Sequence, residues 1–168
     1  MFVIRSELPN RTLTEEPRIP MGLLLEPLDG TGPFVHFETC EASEAARTRE
    51  GEIYRRLLEI TGRWTGQPSH AVFAEWQVRD VAQADAFVES RRQLFELRQR
   101  VLPTFAVDWL LQRVDDVGRF VVLGLYGDEQ GLRLCRDHPE VRRFAQDHPA
   151  SALTATDVSG LHFFRIRH

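Results

Sequence analysis

The sequence predicts an α+β fold built on a ferredoxin-like split βαβ unit, and three observations carry that prediction. Residues 71–78 alternate in the period of a strand, with Val72, Ala74, Trp76 and Val78 on one face and Phe73, Glu75 and Gln77 on the other. Residues 82–101 carry an apolar stripe through Ala84, Phe87, Val88, Leu94 and Phe95 at helical spacing, which Pro103 closes. Two apolar runs, 106–114 and 119–127, then flank the turn Asp115, Asp116, Val117, Gly118, a hairpin signal.

The remaining elements follow from the same rules. Residues 128–136 and 139–147 read as two short helices, because Pro139 suits a first helical turn and cannot continue the helix before it. Residues 161–168 read as a closing strand. Ahead of this unit, residues 2–6, 21–25 and 34–37 are short apolar runs separated by Pro and Gly, predicted as three strands, the last two forming a hairpin. In residues 50–64, Ile53, Leu57, Ile60 and Trp64 fall at spacings of four, three and four, which predicts an amphipathic helix. The expected organisation is therefore an N-terminal ββ(β)α extension, 1–68, and a ferredoxin-fold unit, 69–168.

Both faces of the predicted sheet carry bulk: Trp109 and Leu111 stand opposite Leu110, and Phe163 stands opposite Phe164 and Ile166. Helices cover only one face of such a sheet, so another sheet must cover the second. A second chain in a two-fold dimer would supply it. So would the strands of the N-terminal extension, as an intrachain pseudo-dimer.

Composition narrows the function. With 168 residues, 42% hydrophobic and 27% charged, the chain fits one globular core and excludes disordered and fibrous classes. It has no apolar run of the roughly 20 residues that a membrane helix needs and no signal-peptide pattern, which predicts a cytoplasmic protein without a membrane partner. A net charge of −4 gives no global field for nucleic acid. All 21 basic residues are arginine, so lysine Schiff-base chemistry is excluded. Cys40 and Cys135 have neither disulfide nor zinc spacing and read as buried thiols. Six histidines, among them His36, His70, His138, His162 and His168, show no metal-binding motif, and no GxGxxG, P-loop or GxSxG pattern is present.

The stretch AVFAEWQVRD, the helix ADAFVESRRQLFELRQ, the hairpin VDWLLQRVDDVGRFVVLGLYGDEQ and the helix start RDHPEVRRFAQDH resemble the antibiotic biosynthesis monooxygenase (ABM) superfamily of dimeric α+β barrels. With GEIYRRLLEITGRW ahead of them, they are similar to the TRAP and haem-degrading monooxygenase B-like group, in which the N-terminal part completes the barrel within one chain. The resemblance implies either a monooxygenase acting on a small planar apolar substrate, a non-catalytic TRAP-like binding or stress-related protein, or a haem-binding protein without turnover. The family's haem-degrading members use an asparagine on the first barrel strand, a tryptophan on the second helix and a histidine ligand ten residues further on. Those positions fall here near Glu75 or Trp76, on Cys135 and on Ala145, so none of the three is matched.

A site of this type lies between the helical layer and the sheet. Its candidate lining residues are Trp76, Phe87, Arg91, Leu94, Trp109, Leu123, Cys135 and Phe144. No cofactor is required if the substrate's own electron-rich ring reacts with oxygen. Glu75 is a candidate general base if buried. His148 is a second catalytic candidate and the one haem ligand available, against the alternative that it meets helix-end carbonyls and solvent. Arg91 and Arg98, seven apart at the edge of the helix stripe, either bind a ligand carboxylate or snorkel to solvent. Trp76, Trp109, Phe163 and Phe164 either stack on an aromatic ligand or pack the core.

Overall fold

A computed structural model describes residues 1–8, 22–40, 51–155 and 161–167. Eight strands close into one antiparallel barrel: β1 (Phe2–Leu8), β2 (Gly22–Pro27), β3 (Phe34–Cys40), β4 (Glu52–Thr61), β5 (His70–Gln77), β6 (Phe105–Arg113), β7 (Arg119–Tyr126) and β8 (His162–Arg167). Around it lie α1 (Ala84–Val101), α2 (Glu129–Asp137) and α3 (Pro139–Asp147). His168 lies outside the described residues.

Going round the barrel, the strands run β1-β3-β2-β8-β5-β7-β6-β4, and β4 pairs with β1 to close the ring. The last four strands thus lie in the order β8-β5-β7-β6, the split βαβ arrangement with α1 and α2 as crossovers. The first four lie in the order β4-β1-β3-β2, which is the same fourth-first-third-second pattern. Two sheets of like topology therefore meet edge to edge, at β2–β8 and β4–β6, within one chain. The face that the sequence required to be covered is covered by the chain's own N-terminal strands.

Alternation fills the barrel. Every strand sends side chains inward, among them Val3, Leu25, Phe37, Tyr54, Phe73, Leu111, Leu123 and Phe164, one from each. The opposite face of β5, β6 and β7 packs under the helices, where Phe87, Leu94, Phe95 and Leu97 of α1 meet Leu110, Phe120 and Val122. Burying each such side chain contributes about 1.5–3 kcal/mol. Asp128 caps α2 by accepting from the Gly131 N–H at 2.7 Å, and Pro139 opens α3 at its first turn.

One expected element is wrong: within the predicted helix of residues 50–64, Glu52–Thr61 form β4. The cause is a register shift between Arg56 and Leu58 in the β4–β6 ladder. Before it Tyr54 points into the barrel; after it Leu58 and Ile60 point toward the helices, and Leu57 joins them. The extra residue of the bulge turns an even spacing into an odd one, so a strand imitates the four-three rhythm of a helix. Trp64 follows the strand and packs against the barrel cluster, over Gly127.

Candidate functional site

A cavity of about 430 Å³ lies between the helices and the outer face of the C-terminal sheet, within the range of small-molecule sites. Its floor is Ala74 and Trp76 of β5 with Val122 of β7. The small Ala74, paired with Val122, leaves the depth that a larger residue would fill. Arg91, Leu94 and Arg98 of α1 form one wall at helical spacing. Cys135 and Arg136 of α2 and, from α3 and the segment after it, Val141, Ala145, His148, residues 149–151, Thr154 and Leu161 complete the lining among the described residues.

The electrostatics of this cavity are unusual. Arg98 Nη1 donates to Asp108 Oδ2 at 3.1 Å, a fully buried ion pair beneath α1. Arg91 is only 6% exposed, yet no carboxylate among the described residues lies within ion-pair distance of it. Its one hydrogen bond among them runs from Nη2 to Ser90 Oγ at 3.2 Å, and its Nε has none. What it has instead is aromatic faces: its guanidinium carbon lies 5.6 Å from the Trp76 ring centre and 5.3 Å from that of Phe87. Burial, with Arg98 beside it as a second cation, pulls Arg91 down to about 10. The three charges Arg91, Arg98 and Asp108 sum to plus one beneath α1.

The sequence-predicted residues divide between the faces of the sheet. Trp76, Arg91, Leu94, Cys135 and His148 come together around the cavity. Phe87 is fully buried behind it, its ring 6.0 Å from Trp76 and 5.0 Å from Phe120. Phe144 packs against the helix-side core, its ring 4.7 Å from that of His148. Trp109 and Leu123 face the barrel interior, on the far side of the sheet. Arg91 and Arg98 are buried rather than snorkelling. Burial pushes the Cys135 thiol up, which lowers its thiolate fraction. Cys135 is buried and Cys40 half-buried, and neither forms a disulfide.

Glu75 points the other way from Trp76, into a second cavity of about 600 Å³ at one end of the barrel. There Arg5 Nη1 lies 3.2 Å from Glu75 and 2.8 Å from Glu52, and Arg5 Nη2 lies 2.8 Å from Glu7. Tyr54 donates to Glu52 at 2.9 Å. Arg5 in this second cavity is held by three carboxylates, whereas Arg91 in the first has none within ion-pair distance among the described residues. Sequence reasoning missed Asp108; its only signal is a lone carboxylate at a helix-facing position of the apolar run AVDWLLQRV.

Comparison with solved structures follows the same outline. A ferredoxin-fold protein from Listeria monocytogenes, described as uncharacterized and related to antibiotic biosynthesis monooxygenases, matches with a TM-score of 0.67 over 99% of this chain and 94% of its own, at 15% identity. The fold is that of the antibiotic biosynthesis monooxygenases. A haem-degrading enzyme from Listeria monocytogenes matches over 96% of this chain and 99% of its own, with a TM-score of 0.58 and 15% identity. A major regulator of staphylococcal pathogenesis matches over 98% of both chains, with a TM-score of 0.67 and 12% identity. No family model matches the sequence, and no curated protein matches it. The ABM fold here is a barrel closed within one chain, and among the described residues no helix is long and apolar enough to cross a membrane. No group of three or more His, Cys, Asp or Glu among them could hold a metal ion.

Haem does not fit the residues present. Ala145, at the position the resemblance gives to the ligand, has no donor atom, and His148 is exposed at the end of α3 with its ring against Phe144. No step is therefore routed through an iron centre.

Proposed function

We propose that the chain is an ABM-type oxygenase that takes a small planar apolar substrate into the cavity between helices and sheet. The observation that carries this reading is the cavity itself, with Trp76 as a flat wall held from behind by Phe87. In this reading residues 69–168 carry the site and residues 1–68 close the barrel. The chemistry asks little of the protein. An activated ring methylene gives both of its hydrogens and two electron pairs to dioxygen, one oxygen atom becoming the ring carbonyl and the other leaving as water. Seating the ring on Trp76 displaces water from that face and fixes its orientation.

A second reading, a non-catalytic TRAP-like binding protein, is favoured by the direction of Glu75. Its carboxylate is held by Arg5 on the far side of the sheet, which leaves His148, exposed at the rim, as the base candidate among the described lining residues. Oxygen uptake with anthrone separates the two. Uptake that saturates with anthrone and releases one equivalent of anthraquinone per oxygen supports the oxygenase. Saturable binding with no uptake above buffer leaves the binding protein. A Soret shift on adding haemin would restore the haem reading.

A further inference from the structure

The cavity has a polarity that a purely apolar ligand would not use. Arg91 is buried, lines this space and has no carboxylate partner among the described residues, while the adjacent Arg98 pairs with Asp108 at 3.1 Å. Trp76 Nε1 and Arg91 Nε are buried N–H groups without a partner. Among the described lining residues no Asp or Glu side chain faces this space; the others are apolar, small, or, like Arg136 and His148, exposed at the rim. Among the described residues the site is thus rich in donors and poor in acceptors, with two buried guanidinium groups against the one carboxylate of Asp108. An uncompensated buried charge costs the folded state unless something pairs with it. The aromatic faces of Trp76 and Phe87 offset part of that cost, but they accept no N–H hydrogen bond of full strength.

We infer that Arg91 is an anion subsite, and that the ligand is a planar aromatic monoanion whose ring lies on Trp76 while its carboxylate or phenolate oxygen meets the guanidinium. This deepens the oxygenase reading by naming its substrate class, but it rests on that reading only for the shared cavity; the charge preference needs no turnover. Ligand ionisation also suits the chemistry proposed above, since a phenolate or enolate is the electron-rich form that reduces oxygen. A nearby cation favours the ionised form of a bound phenol, as pairing of opposite charges within about 4–6 Å does generally.

The test compares two ligands of one shape. Under argon, isothermal titration of the full chain with 2-naphthoate and with 2-naphthamide should show the anion binding about tenfold or more tightly, as expected for a charge-assisted hydrogen bond in a buried site. Arg91→Gln should erase the difference by weakening the anion's binding more than the amide's; Arg91→Lys should retain part of it. Bound 2-naphthol should ionise about one or more pH units lower than in water, read from its phenolate absorption, and Arg91→Gln should remove the shift. Equal affinity for acid and amide in the wild type, or a preference that survives in Arg91→Gln, overturns the inference. Because oxygen is absent, failure of the oxygenase reading shows only in the uptake assay. If Arg91→Gln does not fold, the naphthol shift in the wild type still decides.

Discussion

Asp108 and Gly124 face each other across the β6–β7 ladder, and a Cβ at position 124 would collide with Asp108 Oδ1. The carboxylate cannot swing aside, because its other oxygen accepts from Arg98. Gly124→Ala is therefore expected to destabilise the fold by about 1–3 kcal/mol through overpacking. A fall in the denaturant midpoint without a change in m-value would show it; an unchanged midpoint would mean the carboxylate has another resting place.

Trp76 forms the flat wall of the cavity, half-buried and backed by Phe87. Trp76→Ala should weaken naphthoate binding about threefold to tenfold, the range of an aromatic pair, and Trp76→Phe by less. Titration of each variant measures this. Equal binding would move the ligand off β5.

Glu75, one residue earlier, is held by Arg5 in the other cavity. Glu75→Gln should leave both ligand affinity and any oxygen uptake within about twofold of the wild type, since side chains one apart on a strand serve opposite faces. A large loss of uptake would return Glu75 to the role of base.

His36 and His70 carry the pH dependence. Burial pulls both below the usual value near 6.5, against the opposing pull of Glu38 on His36 and Glu129 on His70. His36 Nε2 is buried without a partner, and His70 Nδ1 lies 2.8 Å from Ser69 Oγ. A lowered folded-state value means that the unfolded chain binds protons first as pH falls. Their contribution is then complete above about pH 6.5 and is lost as pH drops through the lower folded values. Stability should decline from pH 7 to pH 5, and His36→Gln with His70→Gln should flatten that decline in denaturant titrations.

The barrel closes without a second chain, so light scattering should give a mass near 19.4 kDa. A mass of twice that value would mean that another surface associates. Val114 and Val117, exposed at the β6–β7 turn, would then be the first residues to change.

Much of this architecture was legible in the sequence, and the exceptions share one cause. Strands β5 to β7 are apolar on both faces because one packs the barrel and the other packs the helices. Alternation located those strands but could not say which parity faces the helices, so Trp109 and Leu123 were expected beside Trp76 although they point inward. In β4 the bulge at Leu57 hid the alternation itself. Arg91 and Arg98 were visible as a pair on the helix stripe; that Asp108 neutralises one and leaves the other required the docking of α1 on β6.

The repeated strand order in the two halves has a genetic consequence. A barrel assembled from two identical subunits must carry every substitution twice, once in each half. Joined in a single polypeptide, the halves are written separately, and a change that suits one lobe is not imposed on the other. The N-terminal lobe can specialise in closing the barrel while the C-terminal one carries the helix-side cavity, and each is separately open to mutation and selection.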